Sequence, residues 1–164
     1  MGITDMAQPD GPSRQSRLTY TDGTSRIVYA TEREVAFPQG HLIVSRTDLA
    51  GIITHANDAF VEMSGYTREE LIGAPHHILR HPDMPKLAFK SLWDDVATGK
   101  KWHGYVKNLR KDGAFYWVYA TAVPNIRNGN IVGYTSVRRK PSRGKINELI
   151  PVYQQWLDQE STAS

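Results

Sequence analysis

After Gly99 the apolar residues of this 164-residue chain change from a helical period to a period of two, and that change narrows what it can fold into. From there to Arg139 they alternate with period two, in segments 102–110, 115–123 and 131–139 that are rich in aromatic and β-branched residues. Lys111-Asp112-Gly113 and Arg127-Asn128-Gly129-Asn130 join the segments. Asp-Gly and Asn-Gly suit tight hairpins, whose central positions need a positive φ. Three strands joined by two hairpins make an antiparallel meander.

Ahead of Gly99 the period is helical. Leu87, Ala88, Leu92, Trp93 and Val96 recur at 3.6-residue spacing, and Asp83 is expected to cap that helix with Met84 and Pro85 in its first turn. Further upstream, 41–46 and 52–56 read as two strands about the turn Asp48 to Gly51. Asn57 is a good N-cap for a short helix carrying Ala59, Phe60 and Met63 and ended by Gly65. Thr67 to Glu70 fits a capping box, in which hydroxyl and carboxylate each satisfy an orphan amide. Two strands, a helical crossing and a meander predict an α+β fold, a five-stranded antiparallel sheet with short helices on one face. Such a cup usually holds a small molecule between sheet and helices. Residues 1–36 read as an N-terminal tail or cap: 1–17 are polar, and 18–30 alternate weakly about Asp22-Gly23. Residues 37–141 form the central domain. Residues 142–164 form a C-terminal amphipathic helix or linker, which Ser142 can cap and Pro151 should kink or divide.

Composition excludes several functions. Cysteine is absent, which removes disulfides, thiolate metal sites, cysteine nucleophiles and a cysteine–flavin photoadduct. No apolar run approaches the ~20 residues of a membrane helix, and no secretory leader opens the chain. A cytoplasmic protein without membrane insertion is expected. The net charge of +3 is concentrated in five Lys/Arg within 100–111 and five within 138–145. No nucleic-acid motif accompanies them, so they read as hairpin ends and as a strand running into a linker. No Ser/His/Asp order, glycine-rich phosphate loop or paired-carboxylate motif is evident, so an enzyme is not expected.

The best cluster for chemistry is Arg80-His81-Pro82-Asp83, at the break between two helices. A guanidinium fork, an imidazole and helix-start amides together suit a pyrophosphate or carboxylate. A structural corner, with Asp83 capping its helix and paired to Arg80, accounts for the same residues. His77 and His81 are four apart and would share a helix face, but Pro82 ends the helix and HExxH is absent. Either could be an axial haem ligand. Asn57 and Asn108 could address a heterocycle edge, or could be an N-cap and a strand-end turn. Trp93, Trp102, Tyr116 and Trp117 are core or stacking residues, and only one of the adjacent Tyr116 and Trp117 can face the cup.

The run from Ile53 through Asn57-Asp58-Ala59-Phe60 to Gly65-Tyr66-Thr67 resembles the opening of a PAS domain. Arg80-His81-Pro82-Asp83-Met84-Pro85, followed by Val106-Lys107-Asn108, Tyr116-Trp117-Val118 and Gly133-Tyr134, is similar to one branch, the FAD-binding PAS domains of bacterial aerotaxis receptors. The similarity covers about residues 37–158. It implies a PAS fold holding FAD non-covalently as a redox or oxygen sensor, with Arg80, His81 and Asp83 needed for binding. Asn57, Trp93 and Asn108 match cavity positions, and Trp102 is a further candidate. It also implies a signalling output domain or chemoreceptor-type partner, with a homodimer as one arrangement. A PAS module for haem or another small ligand, or a ligand-free interaction module, is the alternative. FMN in place of FAD is left open by residue types.

Overall fold

A computed structural model describes residues 3–162, so the extreme ends of the expected tail and final helix lie outside the described residues. Strands β1 (Arg14–Thr19) and β2 (Ser25–Ala30) make an antiparallel hairpin. Its turn is closed by the Asp22 carboxylate, which accepts from the Thr24 amide at 2.9 Å. Strand β1 starts within the stretch expected to be tail, and Met6 also pairs its amide with Ile27. Apolar burial explains the order: Met6, Val28 and Ala30 cover Leu109 of the central domain.

The central sheet contains β3 (Ile43–Thr47), β4 (Ile53–Ala56), β5 (Trp102–Leu109), β6 (Phe115–Arg127) and β7 (Asn130–Arg139), all antiparallel, in the order β4-β3-β7-β6-β5. The meander forms as its period requires. At the β6–β7 turn Asn128 and Gly129 both take positive φ, 51° and 79°. β6 runs on through Pro124 beyond the start of β5, which lies opposite Ala122, leaving one edge open where a missing amide costs nothing.

Between β4 and β5 lie α1 (Asp58–Ser64), α2 (Arg68–Leu71), a 3-10 turn (His76–Leu79) and α3 (Lys86–Val96). Asn57 caps α1, Gly65 ends it at φ 77°, and both halves of the Thr67–Glu70 capping box form. α3 departs from expectation. Pro85, not Asp83, stands at its N-cap without a side-chain bond, because the Asp83 carboxylate is taken by Arg14 and Lys107. Instead Glu160 accepts from the Leu87 amide at 3.1 Å. That residue belongs to α4 (Arg143–Thr162), which contains Pro151 and is not divided by it. Ser142 accepts from the Lys145 amide at its start, as expected.

Register decides which strand residues face the helices, since directly opposed residues share a face. Tyr116, Val118, Ala120 and Ala122 of β6 join the main core with Phe60, Met63, Leu71, Leu79 and Val96. Trp117 takes the opposite face, where Ile146 and Tyr153 of α4 cover it and the Tyr153 hydroxyl donates to the Tyr105 carbonyl at 2.8 Å. No helix among the described residues is long and apolar enough to cross a membrane.

Candidate functional site

Four strands supply the floor of the cup. Cross-strand pairing places Gly104 beside Ala120 and Arg138, and Trp102 beside Ala122 and Ser136, with Ser45 following on β3. Apart from Trp102 and Arg138 these are small residues, and a floor of small side chains suits a flat ring. Trp102 lies across this floor: a methyl group on Gly104 would stand 2.3 Å from its indole. The indole nitrogen donates to Ser91 at 3.2 Å. Trp93, on α3, is more exposed and meets Tyr134 edge-on at 5.4 Å.

The RHPD corner closes one end. Pro82 breaks the chain after the 3-10 turn, and Arg80 hydrogen-bonds His77 through its backbone and forms a β-bridge with Asn108. So the backbones of Arg80 and Asn108 lie side by side. The Arg80 guanidinium lies over Phe89 at 5.1 Å, and its Nε is buried without a partner. His81 is 1% exposed; its Nδ1 accepts from the Asp83 amide at 3.0 Å, and its Nε2 has no partner. Burial, then the Lys107 charge, holds its imidazole neutral, pulling the pKa down to about 3.

Asp83 does not pair with Arg80. Burial works against its charge, but hydrogen bonds from Arg14 and from Lys107, at 2.9 Å, outweigh this and hold the carboxyl at about 2. The N-terminal hairpin covers the corner: Arg14 reaches Asp83, Tyr20 stacks on His77 at 3.7 Å, and Arg26 donates to the Ile78 carbonyl at 2.8 Å. His77 and His81 therefore take different neighbours. Among the described residues no group of three metal-ligating side chains comes together.

Asn57 stands apart from the corner. Its Oδ1 accepts from the Phe60 and Val44 amides, both at 3.0 Å, and its Nδ2 donates to the Leu42 carbonyl at 2.8 Å, so its amide ties α1 to β3. It lines an open cleft of about 430 Å³ with Ser45, Arg68 and Ile72.

Arg138 was missed by the sequence reading, which placed it in a basic run leaving the last strand. It is 2% exposed and points into the cup, while the next residue, Arg139, faces solvent. Parity was the available signal: Arg138 is two residues beyond Ser136 and four beyond Tyr134, on the same face of β7. Its neighbours are Ser45, on β3, and His76, at the start of the 3-10 turn, which only the tertiary structure brings to it.

A five-stranded antiparallel sheet with short helices crossing one face, a polar corner and a separate N-terminal hairpin define a small cup-shaped domain. Residues 53–138, more than half of the chain, match the PAS fold family, and the chain belongs to it. It is 47% identical over 125 residues to the aerotaxis receptor of Escherichia coli K12, a match covering 76% of this chain and 25% of that protein. The chain spans about a quarter of the length of this relative. Among solved structures, a PAS domain of a Colwellia psychrerythraea protein superposes with a TM-score of 0.56 at 29% identity, covering 62% of this chain and 87% of that one. The light-state Aureochrome1 LOV domain superposes with a TM-score of 0.61 at 23% identity, covering 66% and 88%, and shares the fold.

Proposed function

We propose that this PAS domain binds FAD non-covalently between its helices and sheet and works as a redox sensor of the aerotaxis type. One observation carries the proposal: Arg80 Nε and His81 Nε2 are buried at one corner with no partner. Buried polar atoms are ordinarily satisfied, so two orphans on consecutive residues point to a polar ligand. The relationship to an aerotaxis receptor and the small-residue floor favour a flavin.

The residues fit the group. Arg80 and His81 would address the phosphates or adenosine, with Asp83 holding His81 and Lys107 in place. Asn108 and the buried Tyr116 hydroxyl would face the ring edge, and Trp102 turns off Gly104 to admit the ring. Trp93 flanks the opening, while Asn57 supports the site through the α1–β3 junction. The flavin supplies an electron-accepting ring whose charge changes with redox state. A charge change on the floor biases the packing of β6 and β7, and Trp117 hands that bias to Ile146 and Tyr153 of α4. From α4 the signal passes to an output domain or a chemoreceptor-type partner. Residues 1–36 act as a cap over the corner and 37–141 as the sensor.

The test is the absorption spectrum of the purified chain and chromatography of the cofactor released by heat. The two visible bands of an oxidised flavin, with released FAD, are expected; a colourless chain that FAD cannot reconstitute makes this an interaction module instead. Arg80→Ala removes a charge-assisted contact of about 1.5–3 kcal/mol, so FAD retention should fall about 10- to 100-fold. Unchanged retention in a well-folded Arg80→Ala protein would place the phosphates elsewhere.

A further inference from the structure

Arg26 puts a charge on the face of the hairpin that packs against the domain. On β2 the side chains of Arg26, Val28 and Ala30 point the same way, since strand residues two apart share a face, and all three are buried. Val28 and Ala30 cover Leu109, as an apolar face should. Arg26 is 3% exposed and meets neutral groups. Its Nη2 donates to the Ile78 carbonyl at 2.8 Å, its Nε to the Tyr20 hydroxyl at 3.2 Å and its Nη1 to the Thr4 carbonyl at 3.4 Å. Among the described residues no carboxylate forms an ion pair with it; Asp5, next to Thr4, accepts from the Ile27 amide instead, at 2.8 Å. Taking a guanidinium out of water is costly unless an opposite charge compensates.

The bond to Ile78 anchors this charge inside the RHPD corner. Within residues 77–81, His77 Nε2, Arg80 Nε and His81 Nε2 are all buried without a partner. Tyr20, which accepts from Arg26, stacks on His77. Arg26 and Arg80 act on the same imidazole: burial lowers the His77 pKa, the Asp22 charge opposes this, and both arginines push it further down. The Glu160 carboxylate, whose charge favours that of Arg80, is bonded to the Leu87 amide. Two guanidinium groups acting on one ring repel each other, and an anion shared by them turns that repulsion into attraction.

We infer that Arg26 supplies, together with Arg80, a second guanidinium for the diphosphate of the bound cofactor, so that the N-terminal hairpin is part of the site as well as its cover. The inference rests on the flavin reading above. Arg26 lies ahead of residues 53–138, which match the family, so the contact is not one that the match assigns. A guanidinium offers a phosphate parallel N–H donors, and a diphosphate carries a negative charge on each phosphate, one for each fork. Ile78 and Tyr20 hold the Arg26 fork in place before the cofactor arrives.

The test is the affinity of the cofactor-depleted full chain for FAD, read by quenching of flavin fluorescence at low and high sodium chloride, for the unaltered protein, Arg26→Gln and Arg26→Lys. Glutamine keeps a donor for the Ile78 carbonyl without the charge, and lysine keeps both. Arg26→Gln should bind FAD about tenfold more weakly at low salt, and its affinity should fall less steeply as salt rises, because one cation facing the phosphates is gone. Arg26→Lys should recover most of the affinity and of the salt dependence. An unchanged affinity in Arg26→Gln, equal losses in the Gln and Lys variants, or a loss with the salt dependence unaltered overturns the inference and leaves Arg26 as a tie between the hairpin and the 3-10 turn. Failure of the unaltered chain to take up FAD overturns the flavin reading, and this inference with it.

Discussion

Lowering the pH from 7 to 5 should destabilise this protein by about 4 kcal/mol, and the loss should be traceable to two histidines. His81 and His76 both have folded-state pKa values near 3 against an ordinary 6.5, chiefly because burial disfavours the imidazolium. Below 6.5 the unfolded chain takes up protons that the folded chain refuses. Their contribution is therefore present above pH 6.5 and is lost as the pH falls from 6.5 towards 3. Each histidine accounts for about 2 kcal/mol of the loss by pH 5. Burial of His77 lowers its pKa too and adds in the same direction. Asp83 contributes nothing to this window, because its carboxyl titrates between its ordinary 3.8 and about 2.

The measurement is urea unfolding at pH 7 and pH 5. His81→Asn keeps an acceptor for the Asp83 amide, and His76→Gln keeps one for Ser45 and Arg138; neither side chain can take up a proton. Each variant should lose about half of the difference between the two pH values, whatever its absolute stability. A full pH dependence in both variants would show that other groups set it. Because His81 belongs to the proposed FAD corner and His76 braces Arg138, acid would loosen the site and the fold together.

The second large effect concerns two glycines on the sheet. A methyl group at Gly133 would stand 2.3 Å from the Thr47 carbonyl oxygen, which belongs to the neighbouring strand's backbone and cannot turn aside. Gly133→Ala should therefore open the β3–β7 pairing and cost about 3 kcal/mol or more. A methyl at Gly104 meets the Trp102 indole at the same 2.3 Å, but a side chain can rotate away. Gly104→Ala should cost about 1–2 kcal/mol and move Trp102 out of its buried place, seen as a red shift in tryptophan emission. Equal costs at the two positions, without an emission change at Gly104, would contradict this distinction between backbone and side-chain obstruction.

Caps and turns were legible in the sequence because the bonds that make them lie within a few residues. Asn57, the Thr67–Glu70 box, Gly65 and the Asn128-Gly129 turn all stand where residue type alone placed them. The strand period then decided the meander and, through it, a five-stranded central sheet with the short helices on one face. The RHPD corner was visible as a cluster, and the chain does bring Arg80 beside Asn108.

Only the tertiary structure decided how charges are matched. Asp83 looked like a helix cap, yet Arg14, 69 residues away, and Lys107, 24 residues away, claim its carboxylate, and Glu160 supplies the cap from α4. Arg138 looked like one of a solvated basic run until strand register turned it into the cup beside Ser45, 93 residues away. Local period tells which face a residue takes, but a buried charge is stabilised by whatever polar atoms the folded chain brings within about 3 Å. Those partners come from distant segments, and the short-range pattern of the sequence does not encode them.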